Sequence, residues 1–172
     1  ELISPNDKIT PGKIRDINTY TISNLITKTG SNVKNYPIMP DDFNKQLIQS
    51  KKAYKECDIL IFSAGSSISY RDTTAKVIKN LGAPGIIVHG ISVKPGKPTI
   101  LGLCDKKLII GLPGNPVSAV MIFINIVKPI IERLYNHKSL KPHLNCKLDE
   151  NISSKTGRVD YVTVKIITKC KN

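Results

Sequence analysis

The chain has 172 residues, 40% of them hydrophobic, which is enough for one ordinary domain with a small appendage. Only 5% are aromatic and Trp is absent, so the core is aliphatic, and its Ile- and Val-rich runs favour strands buried on both faces. The formal net charge of +13 fits an anionic ligand or a codon bias toward Lys, Asn and Ile; no basic block interleaved with aromatics argues for nucleic acid, and no apolar run is long enough to span a bilayer.

In chain order, residues 1–3 read as a short strand, followed by a loop carrying Pro5, Asn6, Asp7, Pro11 and Gly12. Asp16 or Asn18 can cap a helix with Ile17, Ile22, Leu25 and Ile26 on one side, ended by Gly30. Residues 33–38 read as a strand. Pro40 and Asp41 open a second helix, with Phe43, Leu47, Ile48 and Ala53 near helical spacing. "DILIFSAGSS" is a buried strand running into a small-residue loop. Asp72 opens a third helix, with Ala75, Val77, Ile78 and Leu81 on its apolar face and Gly82 at its stop. "GIIVHGI" is a strand. "TILGL" and "KLIIGL" flank Asp105 and Lys106 and form a hairpin. A helix over 116–134 completes the unit.

This alternation predicts an α/β fold with a mostly parallel sheet covered on both faces and one antiparallel strand. After Pro142, "HLNCKLDENI" and "RVDYVTVKII" read as alternating β-segments. The expected division is 1–140 for the α/β domain and 141–172 for the start of a β unit. Cys57, Cys104, Cys146 and Cys170 form no CxxC pair and read as reduced thiols of a cytoplasmic protein. The chain begins at Glu1 rather than Met, so a longer protein is expected around it.

Three unusual loops are expected at the carboxyl ends of the strands, where open α/β sheets bind ligands. The first offers Gly65, Ser66, Ser67 and Ser69, whose small side chains and N–H groups at a helix start suit an anion. An ordinary polar strand-to-helix turn looks the same. The second, "KPGKP", presents Lys94 and Lys97 around Gly96 between prolines; it reads equally as an exposed turn. In the third, "LPGNPVSA", Pro113 and Pro116 stiffen the turn and Gly114 leaves room for a ligand. Asn115 is either a helix cap or a ligand contact. Asp41, Asp42 and Asp72 are the acidic candidates, as caps or as Mg²⁺ ligands beside a phosphate. His89 ends a strand as a possible donor.

Together, "LPGNPVSA" after a strand, "KPGKP" upstream, the small-residue loop ending in Asp, and "PGKIRDINTY" resemble the MoeA and gephyrin E-domain family of molybdenum-insertion proteins. The resemblance covers about residues 1–165. It implies a three-layer α/β/α molybdopterin-binding domain shared with MogA, followed by the first part of a C-terminal β domain. It also implies binding of adenylylated molybdopterin, its hydrolysis with a divalent metal, and insertion of molybdate, in a protein that forms a homodimer.

Residue by residue, the resemblance places Gly65 and Ser67 beside the phosphate, to which the N–H groups of Ser66 to Ser69 are expected to donate, and Lys94, Gly96 and Lys97 in the Lys-Pro-Gly-Lys-Pro loop. Pro113, Gly114, Asn115, Pro116 and Ser118 line the molybdate region. Asp72, with Asp41 or Asp42, is implied in catalysis, and Asp72 and Asp42 in holding Mg²⁺. Ala64 and Ser69 stand where the family's loop carries its first and last glycines, which resembles a MoeA-like branch. The alternatives are a non-catalytic pterin or oxyanion module and a MogA-like adenylyltransferase.

Overall fold

The computed structural model describes residues 2–63, 68–137 and 142–168, with side chains described from residue 72 onward in the third helix. β1 (Leu2–Ile3) pairs in parallel with β2 (Ile14–Arg15). α1 (Asn18–Thr27) follows, and Asp16 caps it by accepting the Thr19 N–H at 3.1 Å. Ile22, Leu25 and Ile26 of α1 pack inward as expected, whereas Ile17 is exposed.

Residues 33–38 form no strand. Lys34 and Tyr36 instead reach Glu56, the last residue of α2 (Phe43–Glu56), with Tyr36 Oη donating at 2.6 Å. The true cap of α2 is Asp42, whose carboxylate accepts the Lys45 N–H at 2.8 Å. Its inward face includes Gln46, which donates to Pro40 O at 2.8 Å, while Ile48 points to solvent.

The main sheet has four strands in the order β3 (Ile59–Ser63), β7 (Lys107–Leu112), β6 (Ile100–Cys104), β4 (Pro84–His89). β3 and β7 are parallel, and β6 runs antiparallel to both β7 and β4, so β6 is the one reversed strand. The β6–β7 hairpin turns at Asp105 and Lys106, both at positive φ, as a two-residue primed turn requires.

Along β7, Leu108, Ile110 and Leu112 face one way and Ile109 the other. The first face is covered by α1, α4 (Pro116–Ile122) and α5 (Lys128–Leu134); the second by α2 and α3 (Ile68–Lys79). The result is a three-layer α/β/α fold. Phe123–Val127 widen the long helix into a π-turn between α4 and α5. Pro129 explains it: a proline ring crowds the carbonyl four residues back, here Asn125, and a wide turn relieves that clash.

α3 begins at Ile68, so Asp72 lies inside the helix rather than at its start. The expectation that Asp72 opens this helix is corrected: the helical backbone continues one turn upstream. Among the described residues of the tail, only β8 (Val159–Asp160) is a strand, pairing in parallel with β5 (Val93–Lys94). Residues 142–158 hold no strand, and Leu144, Leu148, Val162, Val164 and Ile166 are exposed, so the expected alternating segments have no apolar face to pack on. Cys57, Cys104 and Cys146 are free; Cys170 lies outside the described residues. Among the described residues, no helix is long and apolar enough to cross a membrane.

Candidate functional site

The sheet register brings the second and third loops to one end of the sheet, where β3 also stops. Phe62, Gly111, Ile100 and His89 are partners in turn across β3, β7, β6 and β4, forming one rung at one end of the sheet. One step further, Ser63 pairs with Leu112, so β3 ends beside the strand end from which the Pro113 turn leaves. The connection from His89 to Ile100, which holds Lys94, Gly96 and Lys97, spans the same end. The expected placement at strand carboxyl ends therefore applies to β3, β4 and β7; β6 enters from that end because it runs in reverse.

The helices begin there too. Tyr54 Oη, late in α2, donates to Cys104 O at 2.7 Å, at the end of β6 remote from the loops, so Asp42 and the start of α2 lie at the loop end. α3 leaves the loop end after β3 and reaches the remote end at Ile78, whose carbonyl accepts from Cys104 Sγ at 3.5 Å. α1 starts at Asn18, whose Nδ2 donates to Gly114 O at 2.9 Å, and α4 starts from Asn115. Four helices thus aim their positive ends at one end of the sheet, an arrangement that favours anions.

In the third loop, Pro113 is buried and Pro116 takes the first helical position. Asn115 is the cap: its Oδ1 accepts the Ser118 N–H at 3.2 Å and Ser118 Oγ at 3.4 Å. The Ala119 N–H is taken by Asn115 O, which leaves the Val117 N–H as the donor of that first turn without an acceptor among the described residues. The capping reading is therefore realised, and the exposed Asn115 amide nitrogen is what this side chain can offer a ligand.

In the second loop, Lys94 and Lys97 are exposed, and Lys94 stands in β5, its carbonyl accepting the Tyr161 N–H at 2.7 Å. Gly96 is buried, with φ of +123°, and a Cβ there would lie 2.3 Å from Cδ1 of Ile122. Thr99, fully buried, donates to Gly96 O at 2.7 Å and holds the turn closed. Gly96 thus lets the lysine loop lie flat against α4.

Asp41, Asp42 and Asp72 are exposed, Asp42 and Asp72 on the neighbouring helices α2 and α3. Among the described residues, no three His, Cys, Asp or Glu side chains gather into a metal-binding group. The donors are hard carboxylates, which suit Mg²⁺ in its usual mode of one or two carboxylates plus substrate phosphates. Gly65, Ser66 and Ser67 lie outside the described residues, as does the side chain of Ser69, which stands in the first turn of α3. His89 is exposed at the end of β4. The reading from sequence missed Thr99 as the clasp of the lysine loop and Asn18 as a partner of Gly114; Asn18 was legible only as a candidate cap.

A family model described as a probable molybdopterin-binding domain matches residues 1–133, the whole three-layer unit. The chain belongs to this family. It is 37% identical over 156 residues, 90% of its length, to a Methanocaldococcus jannaschii protein assigned to molybdopterin biosynthesis, and covers 37% of that protein. It is 32% identical over 166 residues to the molybdopterin molybdenumtransferase of Haemophilus influenzae, covering 94% of this chain and 40% of that one. A solved MoeA molybdopterin biosynthesis protein from Pyrococcus horikoshii superposes with a TM-score of 0.71 at 33% identity, over 81% of this chain and 34% of that chain. The chain spans about two fifths of the length of the curated relatives it matches.

Proposed function

We propose that this chain is the ligand-binding part of a MoeA-like molybdenumtransferase, of the branch in which Ala64 and Ser69 replace the loop glycines. Residues 1–140 form the molybdopterin-binding domain and 141–172 begin a C-terminal β domain. The observation that supports the reading is the rung Phe62–Gly111–Ile100–His89, at whose end of the sheet β3 stops beside the Pro113 turn and the connection that holds Lys94 and Lys97.

In this reading the substrate is adenylylated molybdopterin and the cargo is molybdate, handled by a cytoplasmic homodimer. Lys94 and Lys97 hold phosphate as point charges, with the backbone N–H groups of Ser66, Ser67 and Ser69. Pro113 and Pro116 keep the Gly114–Asn115 turn in shape, so little ordering entropy is lost on binding. Asp72, with Asp42 or Asp41, holds Mg²⁺, which neutralises phosphate charge when bound. A second reading, a non-catalytic pterin or oxyanion module, is favoured by the replaced glycines.

The test uses the full-length protein. Gly114→Val should cut molybdenum insertion at least about tenfold, the scale of a misplaced reactant, with a much smaller effect on melting temperature. Loss of stability with normal activity of the folded fraction would make the loop a mere connection. Binding of molybdopterin without turnover would favour the module.

A further inference from the structure

Asn18 is 6% exposed at the first position of α1. Its Nδ2 donates to Gly114 O across 96 residues of chain, at 2.9 Å. Its Oδ1 is buried without a hydrogen-bond partner among the described residues. The two ends of this amide carry opposite messages. The donor end is used, and Gly114 O fixes which end it is, since a flipped amide would set two oxygens face to face. The acceptor end is left unsatisfied, and a buried orphan acceptor is destabilising. An apolar residue of the same size would avoid that penalty, and the half-exposed Gly114 carbonyl could turn to water instead.

Asn at this position is therefore poor value for stability, and what it does secure is the orientation of one peptide. Because the peptide unit is planar and trans, holding Gly114 O toward α1 directs the Asn115 N–H the opposite way, away from α1. That is the peptide at the centre of the Pro113–Pro116 turn. From this geometry we propose that Asn18 is a positioning residue of the ligand site, setting the Gly114–Asn115 peptide for an anionic ligand; this rests on the reading of the site given above.

The experiment measures molybdate binding by calorimetry to the full-length protein, with thermal melts. Asn18→Leu should keep its Tm within about 3 °C of the parent and lose affinity about tenfold, the scale of one well-placed hydrogen bond. Asn18→Asp should show the same loss at neutral pH, where a carboxylate faces Gly114 O. Its deficit relative to the parent should shrink as pH falls and the protonated carboxyl regains a donor. Unchanged affinity in folded Asn18→Leu overturns the proposal. So does a deficit in Asn18→Asp that does not change with pH, and this variant decides alone if Asn18→Leu does not fold. Absence of molybdate binding by the parent protein is a separate outcome: it overturns the reading of the site itself, and the proposal with it.

Discussion

Ser63 and Leu112 are partners at the ends of two parallel strands, 49 positions apart in sequence (112 − 63). Their pairing sets the end of β3 beside the turn that leaves β7. A shift of one residue in that register would turn the faces of β7, sending Ile110 and Leu112 toward the wrong helix layer. The site and the core are thus fixed by the same pairing, and substitutions near the loops act on both.

Gly96→Ala should destabilise the protein by about 2–4 kcal/mol, combining the left-handed backbone and overpacking against Ile122. Ile122 is fully buried and β-branched, so it yields little. Denaturant melts should show partial recovery in Gly96→Ala/Ile122→Val. A single Gly96→Ala within about 0.5 kcal/mol of the parent, the range of an ordinary surface change, would contradict the packing described.

Asn115 has a cap to supply as well as a ligand to meet. Asn115→Ala should cost about 1 kcal/mol through loss of the Ser118 N–H bond. Asn115→Ser keeps a capping oxygen but removes the amide nitrogen, so stability should stay near the parent while ligand affinity falls. Equal affinity in the Ser variant would assign Asn115 to the helix alone.

Asp160 is held below the ordinary Asp value of 3.8, first by the hydrogen bond from Arg158 and then by Ser154 and the charges of Arg158 and Lys94, against an opposing contribution from desolvation. A depressed folded value means that the stabilisation is fully present above the ordinary value and is lost as pH falls through the folded one. The β5–β8 pairing should therefore loosen in acid, from the ordinary Asp range downward. Amide exchange reads this at Val159 and Tyr161, whose N–H groups bond Ser92 O and Lys94 O at 2.9 and 2.7 Å. Arg158→Ala should remove most of the pH dependence; protection that is flat through that range in the parent would rule the linkage out.

Lys106 adopts a φ of 74° in the β6–β7 turn, a conformation that favours glycine. Lys106→Gly should raise stability by about 0.5–1 kcal/mol, the relief of left-handed strain less the entropy of glycine, read as a higher Tm. A lower Tm would mean that the Lys106 side chain itself supports the hairpin.

Much of the layer structure was legible because the cues are local. "KLIIGL" reads as a strand buried on both faces, and Leu108, Ile110 and Leu112 do face one helix layer with Ile109 facing the other. The Asp105–Lys106 hairpin, and with it the one reversed strand, followed from two apolar runs separated by two residues. The prolines around Gly114 marked a strand end and a helix start that the structure reproduces.

What sequence alone could not decide depends on partners elsewhere in the chain. Residues 33–38 have strand composition but join no ladder among the described residues, and a strand exists only through its neighbour. Gln46 is buried and Ile48 exposed on one helix, because the Gln46 amide finds Pro40 O there. The contact of Asn18 with Gly114, which shapes the turn of the candidate site, joins residues 96 positions apart. Periodicity and turn chemistry follow from a few consecutive residues, so they can be read along the chain; register, burial of a polar group and the meeting of two loops are set by packing free energy over the whole fold, so only the tertiary structure determines them.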